Sequence, residues 1–361
     1  MPDASDRPGT PRKRSAAAGS AHAPTLHDVA REAGVSESTA SRALNGSART
    51  VRPGNIELVL AAAARLGYEP HLSAQAIARG STATAVLVVS DIADPYFSSI
   101  AAGVVQAAET AGLTVAMAVS DRSPERELEL VRTLRGQRPR AIIVAGSRVD
   151  GADTREALIE ELSAYRRAGG GAVLISQPDL PFSAVTIDNG GGARRLAGAL
   201  VDRGYRRFAV IRAANSLRTS RDRSDGFLAG LADTGIEDCH VVEADFTRAG
   251  GYRAAGALAA DGLRGVQLVF AVNDVMAIGA MTAFRDAGLE PGRDIAVAGF
   301  DDIGSAVDVV PELTSVSVPL RRIGATAMRL ALRDRDEPRI VRVPTGVVLR
   351  ASTPGITTRH R

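Results

Sequence analysis

The chain has 361 residues, 45% of them hydrophobic, which is too long for one ordinary domain and enough to fill more than one core. Its formal net charge of +3, with Lys13 the only lysine, is too mild to argue for nucleic acid by itself. The single Cys239 excludes an internal disulfide framework and a cysteine-built zinc site.

Residues 1–23 are rich in Pro, Ser, Ala and Gly, with a basic cluster at Arg12, Lys13 and Arg14. They hold too little apolar content to fold and read as a disordered tail. No apolar run reaches membrane-spanning length, and this tail has charges and prolines where an export signal needs an apolar segment, so a cytoplasmic protein is expected.

The next stretch, Thr25 to Asn45, organises the rest. It predicts two short helices, Leu26 to Ala33 and Ser36 to Leu44, with Gly34 at the turn between them. Thr25 stands at an N-cap with Asp28 three residues on, and Ser36 starts the second helix in the same way. Leu26, Val29, Ala30 and Ala33 make an apolar face against Val35, Thr39, Ala40, Ala43 and Leu44. Glu37, Ser38, Ser41 and Arg42 are left pointing outward, as a helix entering a major groove requires. A third helix, Gly54 to Leu66, is expected to close the small core with Ile56, Leu58, Val59, Leu60, Ala63 and Leu66.

From Ala83 onward the pattern alternates. Apolar strands at Ala85–Val89, Leu113–Val119, Ala141–Ala145 and Ala172–Ile175 are separated by helices at Phe97–Ala111, Glu125–Leu134 and Thr154–Ala168. A second series has strands near Ala184–Ile187, Phe208–Ile211, Val241–Glu243, Leu268–Ala271 and Ile295–Ala298, with helices at Gly192–Arg203, Ser220–Thr234, Arg248–Ala260 and Val275–Ala287. Such alternation implies parallel sheets with helices on both faces, and two units of this size make a clamshell with ligand at the strand ends between them. Asp301 and Asn273 after apolar runs, and Arg223 at a helix start, are the polar groups at those mouths. The Gly190-Gly191-Gly192 run lacks the spacing of a dinucleotide fingerprint and reads as a strand-to-helix turn. The five histidines show no metal spacing and no nucleophile elbow is present, so neither a metal, a cofactor nor an enzyme is expected.

Thr25 to Gly80 resembles the headpiece of the lactose/galactose repressor (LacI/GalR) family of bacterial transcription regulators. The likeness is carried by Thr25-Leu26-His27-Asp28-Val29-Ala30, Ala33-Gly34-Val35-Ser36, Thr39-Ala40-Ser41-Arg42-Ala43-Leu44-Asn45 and Leu66-Gly67-Tyr68 with Pro70. The body is similar to the periplasmic-binding-protein-like core of the same family through Asp91-Ile92-Ala93-Asp94-Pro95-Tyr96-Phe97, Val185-Thr186-Ile187-Asp188-Asn189, Arg223-Ser224-Asp225-Gly226-Phe227, Ala271-Val272-Asn273-Asp274, Gly299-Phe300-Asp301-Asp302 and Pro311-Glu312-Leu313-Thr314-Ser315-Val316.

The resemblance implies an α/β protein with a helix-turn-helix headpiece at 24–69, a hinge helix or linker at 70–82 and a two-subdomain body at 83–361. Three crossings between subdomains would put about 83–184 and 313–341 in the first and about 185–312 and 342–361 in the second. It implies base readout by Glu37, Ser38 and Arg42, phosphate contacts from Thr25, Ser36, Thr39, Ser41 and Asn45, and a minor-groove wedge at Ile77; His71 stands where the family has Asn. Phe97, Arg223, Asn273 and Asp301 would line an effector site, with Tyr96, Thr219 and Phe246 beside them. Asp188 and Asp302 read as structural caps. The function implied is a repressor, a homodimer on a palindromic operator, controlled by a sugar-like effector. The segment after Leu349 has no leucine heptads for a tetramer. Between Thr25 and Gly80 six arginines face five carboxylates, so two headpieces acting together matter more than usual. A solute-binding protein would share the body but not the headpiece, and a cleft enzyme would need a nucleophile–base pair or a metal site.

Overall fold

A computed structural model of the chain describes residues 24–44, 51–69, 81–150, 153–214, 216–333 and 337–356. The tail at 1–23, Asn45, and the hinge residues His71 and Ile77 lie outside the described residues. Two units separate between Arg79 and Gly80.

The first unit is helical. α1 (Leu26–Ala33) opens on the expected capping box: the Asp28 N–H donates to Thr25 Oγ1 at 3.3 Å and the Thr25 N–H donates to Asp28 Oδ2 at 3.0 Å. It closes at Gly34, whose φ of 67° returns its N–H to the Ala30 and Arg31 carbonyls. α2 (Glu37–Leu44) is capped by Ser36, whose Oγ accepts from the Thr39 N–H at 3.2 Å. α3 (Pro53–Leu66) follows, with proline in its first turn. The core between the helices is Val29, Ala30, Ala33, Ala40, Ala43, Val51, Val59, Ala62 and Ala63. Leu58 and Leu60 do not join it: they are 54% and 52% exposed. Each is one residue from buried Val59, which on a helix is a rotation of about 100° away from the packed face. A run of consecutive apolar residues does not say which face is turned in.

The second unit holds β1 (Thr84–Val89), α4 (Pro95–Thr110), β2 (Thr114–Val119), α5 (Pro124–Gly136), β3 (Ala141–Ala145), α6 (Arg155–Arg167), β4 (Gly171–Ile175) and β5 (Ser183–Ile187). After these come α7 (Asn189–Asp202), β6 (Phe208–Arg212), α8 (Arg218–Ala232), β7 (Cys239–Glu243), α9 (Arg248–Ala260), β8 (Leu268–Ala271), α10 (Asp274–Asp286) and β9 (Ala296–Asp301). Last are β10 (Thr314–Ser317), α11 (Leu320–Leu332), β11 (Ile340–Val343) and β12 (Gly346–Val348). The strands form two six-stranded sheets, β11-β5-β4-β3-β1-β2 and β12-β10-β9-β8-β6-β7. All neighbours are parallel except β10 and β12. The central strands are buried on both faces, which is why they read as unbroken apolar runs.

Sheet membership corrects the expected boundaries. β5 pairs wholly in the first sheet, from Ala184 beside Ile340 to Ile187 beside Val343, so it does not begin the second series. β10 pairs with β9 in the second sheet, so the chain returns to the first between Ser317 and Leu320 rather than at Leu313. The crossings therefore fall at Asp188, after Ser317 and after Val343. A short apolar strand looks the same in either sheet; hydrogen-bond pairing alone decides which it joins.

The glycine run is not a turn. Gly190 to Gly192 form the first turn of α7, whose N-cap is Asp188 accepting from the Gly191 N–H at 3.2 Å. Their smallness serves packing: a Cβ on Gly226 of α8 would stand 2.3 Å from the Gly190 carbonyl oxygen, so the two backbones meet directly. Gly226→Ala should therefore destabilise the body by about 1–3 kcal/mol through forced separation of the helices. Gly198→Ala, at a position of α7 with nothing within 4 Å, should stabilise it by up to about 1 kcal/mol. Urea unfolding followed by circular dichroism reads both; equal effects would mean that α7 and α8 do not touch there.

Candidate DNA-reading surface and effector cleft

On the headpiece, Glu37, Ser38 and Arg42 of α2 are all exposed, while Ser41 and Thr39 are half-buried. Arg42 forms no ion pair among the described residues. The small polar groups are engaged with one another: Thr25 Oγ1 with the Asp28 carboxylate at 2.7 Å, and Ser36 Oγ with Ser38 Oγ at 3.0 Å and Thr39 Oγ1 at 2.8 Å. The hydrogen bonds from Thr25 hold the Asp28 carboxyl below its ordinary range. One residue sequence reasoning missed is His27, whose Nδ1 lies 2.5 Å from Glu37 Oε1. It reaches across from α1 to the carboxylate that heads α2, in a contact exposed to solvent. No helical period signals a contact between two helices ten residues apart.

In the body, the C-terminal ends of both sheets face one chamber of about 520 Å³. Its floor is a buried ion pair. Arg223, 2% exposed, donates through Nη2 to Asp301 Oδ1 at 2.7 Å and through Nη1 to Oδ2 at 3.2 Å. Nε donates to Asn189 Oδ1 at 2.9 Å, Nη1 also reaches the Val272 carbonyl at 2.9 Å, and the guanidinium lies 3.9 Å over the Phe300 ring. Arg223 stands inside α8 rather than at its start. Asp301 ends β9 at φ 112°, a conformation that side-chain-bearing residues rarely adopt and that surrounding contacts must hold. Burial pushes its carboxyl up, to about 7, and the adjacent Arg223 charge limits the rise.

Tyr96 and Phe97, edge to face with centroids 5.0 Å apart, supply aromatic wall, and Phe246 and Thr219 stand among the lining residues. Burial raises Asp94 above the carboxylate range and Tyr96 above the phenol range, so the Tyr96 hydroxyl is a neutral donor. Asn273 is placed differently from expectation. It does not line the chamber; its Oδ1 caps α10 through the Met276 N–H at 3.0 Å, and its buried Nδ2 has no hydrogen-bond partner among the described residues. Asp188 is a cap, whereas Asp302 pairs with Arg350 at 2.6 Å. Gln177, Asn189 and Asp222 were missed. Gln177 Nε2 donates to Thr219 Oγ1 at 3.1 Å and to Asp222 Oδ2 at 3.4 Å, joining the two halves of the cleft. Gln177 and Asn189 follow β4 and β5, so the strand-end rule applied to the first sheet finds both.

The sequence models agree with this geometry: bacterial regulatory proteins, lacI family, over residues 25–71, and periplasmic binding protein-like domain over residues 197–353. The HTH-type transcriptional regulator GalS of Salmonella typhimurium is 33% identical across 86% of this chain and 89% of its own length. The chain belongs to the lacI family of bacterial regulatory proteins. Catabolite control protein A of Priestia megaterium is 30% identical across 91% of this chain and 99% of its own. Among solved structures, the Lac repressor dimer bound to operator and the anti-inducer ONPF matches with a TM-score of 0.78 at 27% identity, covering 92% of this chain and 100% of that one. The CelR–cellobiose complex matches with a TM-score of 0.65 at 30% identity, covering 91% and 99%. A lacI-family regulator thus carries a DNA-binding headpiece and a ligand-cleft body, and here the cleft floor is an ion pair that water barely reaches. Asp301→Ala should lower the stability of the body by about 3–5 kcal/mol, because it strands the Arg223 charge. Chemical denaturation measures the loss, and an unchanged midpoint would show that the pair is solvated.

Proposed function

We propose that the chain is a transcriptional repressor that reads a palindromic operator through α2 and changes its grip when a sugar occupies the body's cleft. The observation that carries this is the chamber at the strand ends, where fixed donors, acceptors and aromatic faces converge on a polyol-sized space. Arg42 makes a bidentate contact to guanine, Glu37, beside His27, accepts from the amino group of cytosine, and Ser38 discriminates weakly. Thr25, Ser36, Thr39, Ser41 and Asn45 hold phosphates, and Ile77 enters the minor groove at the dyad. The relatives' complexes with operator and with cellobiose support both halves of this reading.

Two copies act together. The edge strand β2 exposes Met117 at 44%, and α4, packed on it, exposes Val105 at 36%, an apolar surface suited to a second copy. Phe97, Tyr96, Thr219 and Phe246 contact the sugar, while Arg223 and Asp301 hold the floor and Asn273 stands behind it. The ligand favours one arrangement of the two sheets over another, and the dimer passes that preference to the headpieces.

Selection from random duplex DNA, repeated with a panel of sugars, tests the reading: an inverted repeat is expected, with recovery that changes for one compound. Arg42→Ala should weaken binding to the selected site by about 10–100-fold and relax one base pair per half-site while sugar binding stays intact. Loss of sugar binding in parallel would mean misfolding and overturn the assignment of Arg42.

A further inference from the structure

The C-terminal ends of both sheets face the chamber, so their N-terminal edges lie at the two far ends of the body. The chain enters the body at the edge of the first sheet. There the Thr82 N–H donates to the Arg138 carbonyl at 2.9 Å, the Arg140 N–H to the Thr84 carbonyl at 2.7 Å and the Gly171 N–H to the Arg140 carbonyl at 3.1 Å, and the Tyr165 hydroxyl donates to the Pro139 carbonyl at 2.6 Å. These bonds bring together two arginine-rich stretches that hold no carboxylate, 132–140 (RTLRGQRPR) and 165–171 (YRRAGGG).

Arg132 and Arg135 share the one carboxylate of Glu161, at 3.0 and 2.8 Å. Arg138, Arg140 and Arg167 are exposed and form no ion pair among the described residues. The stretch 333–339 sets three arginines against three carboxylates and adds no net charge, and Glu109 near the end of α4 is a single opposing charge. Arg167 in the last turn of α6 also offsets the negative end of its helix, whereas Arg138 and Arg140 lie beyond α5 and have no such task.

The edge of the second sheet is built alike and charged differently. Arg264 precedes β8 as Arg138 precedes β3, and both have a φ of 50°, which a side-chain-bearing residue rarely adopts. At the second sheet, however, Arg264 is paired with Asp261 at 2.7 Å and Arg293 with Asp294 at 3.0 Å, and Arg207 is turned onto the Gly265 carbonyl. Unspent guanidinium groups therefore gather at the edge to which the headpiece is joined. Residues 70–80 make that join and span at most about 40 Å even when fully extended, so whatever the headpiece grips is held at high effective concentration near this edge.

We propose that this edge of the first sheet is a second DNA-contacting surface, on which Arg138, Arg140 and Arg167 hold phosphates of the duplex that α2 reads. A guanidinium matches a phosphate with two parallel hydrogen bonds, and these three have no partner to give up. The proposal rests on the DNA reading of α2 and supplies what the headpiece lacks, since six arginines against five carboxylates leave Thr25 to Gly80 a net charge of only +1.

Fluorescence anisotropy of the full chain on the selected operator and on a random duplex, at salt concentrations from about 50 to 200 mM, tests it. Arg138→Gly with Arg140→Gln should weaken both complexes by the same factor, at least about tenfold at 0.1 M salt, because phosphate contacts carry no sequence information. The slope of log affinity against log salt should become shallower by about 0.9 for each arginine lost. Glycine suits the φ of 50° at position 138, so the urea midpoint should not fall. Arg138→Lys with Arg140→Lys keeps the charge and should bind within about twofold of wild type. Arg264→Gly with Arg293→Gln removes the same charge from the edge of the second sheet and should bind as wild type does. Wild-type affinity and slope in the Gly–Gln variant overturn the proposal and leave the DNA reading of α2 intact. Equal loss from the second-sheet variant assigns the effect to overall charge, equal loss from the lysine variant assigns it to shape, and loss confined to the operator assigns it to base contacts; each overturns the proposal. Failure of the wild-type chain to bind either duplex overturns the reading of α2 together with it.

Discussion

A guanidinium and a carboxylate, both withdrawn from water, sit where the second sheet meets the cleft, and much of the body is arranged so that they can stay there. Arg223 is served by Asp301, Asn189, the Val272 carbonyl and the Phe300 ring at once. Those partners come from three places, so the pair ties α8 to the start of α7 and to the ends of β8 and β9. A buried ion pair is poor evidence of added stability, since two well-packed apolar residues often do as well. What it supplies is definition. It sits with Asp301 at a φ of 112° and gives the chamber a polar floor, both residues lining it.

That floor explains why polar residues at strand ends differ in role although they look alike in sequence. Asp301 and Arg223 are neutralised by each other, Asp188 and Asn273 are spent on helix caps, and Asp302 on Arg350. The less conspicuous groups, Gln177, Thr219 and Asp222, line the chamber and bond to one another across it. A prearranged wall of paired polar groups and hydroxyls, rather than a bare charge, suits a neutral polyol.

Much of this was legible in the residues. The capping box at Thr25, the glycine closing α1 and the strand at Ala141–Ala145 follow from local chemistry, because a cap or a buried run acts over a few neighbours. Pairing between distant segments left no such mark, so β5 and β10 were given to the wrong sheets. The exposed Leu58 and Leu60 failed for a related reason: hydrophobicity names candidates for burial, and rotation about the helix axis chooses among them. In the cleft, Phe97 and Phe246 followed from the resemblance, whereas the reach of His27 to Glu37 and of Gln177 to Thr219 depends on how two elements pack, which no single stretch encodes.

The three crossings carry a mechanical consequence. β5 and β11 are neighbours at one edge of the first sheet, and β10 and β12 are neighbours at one edge of the second, so the linking segments run together. Arg195 fastens two of them, donating to Asp188 Oδ2 at 3.0 Å and to Thr345 Oγ1 at 2.8 Å. Three parallel tethers at one side resist shear and twist while leaving bending soft, as the leaves of a door hinge do. By that geometry the easiest relative motion of the two sheets is a swing about the edge where the three links lie.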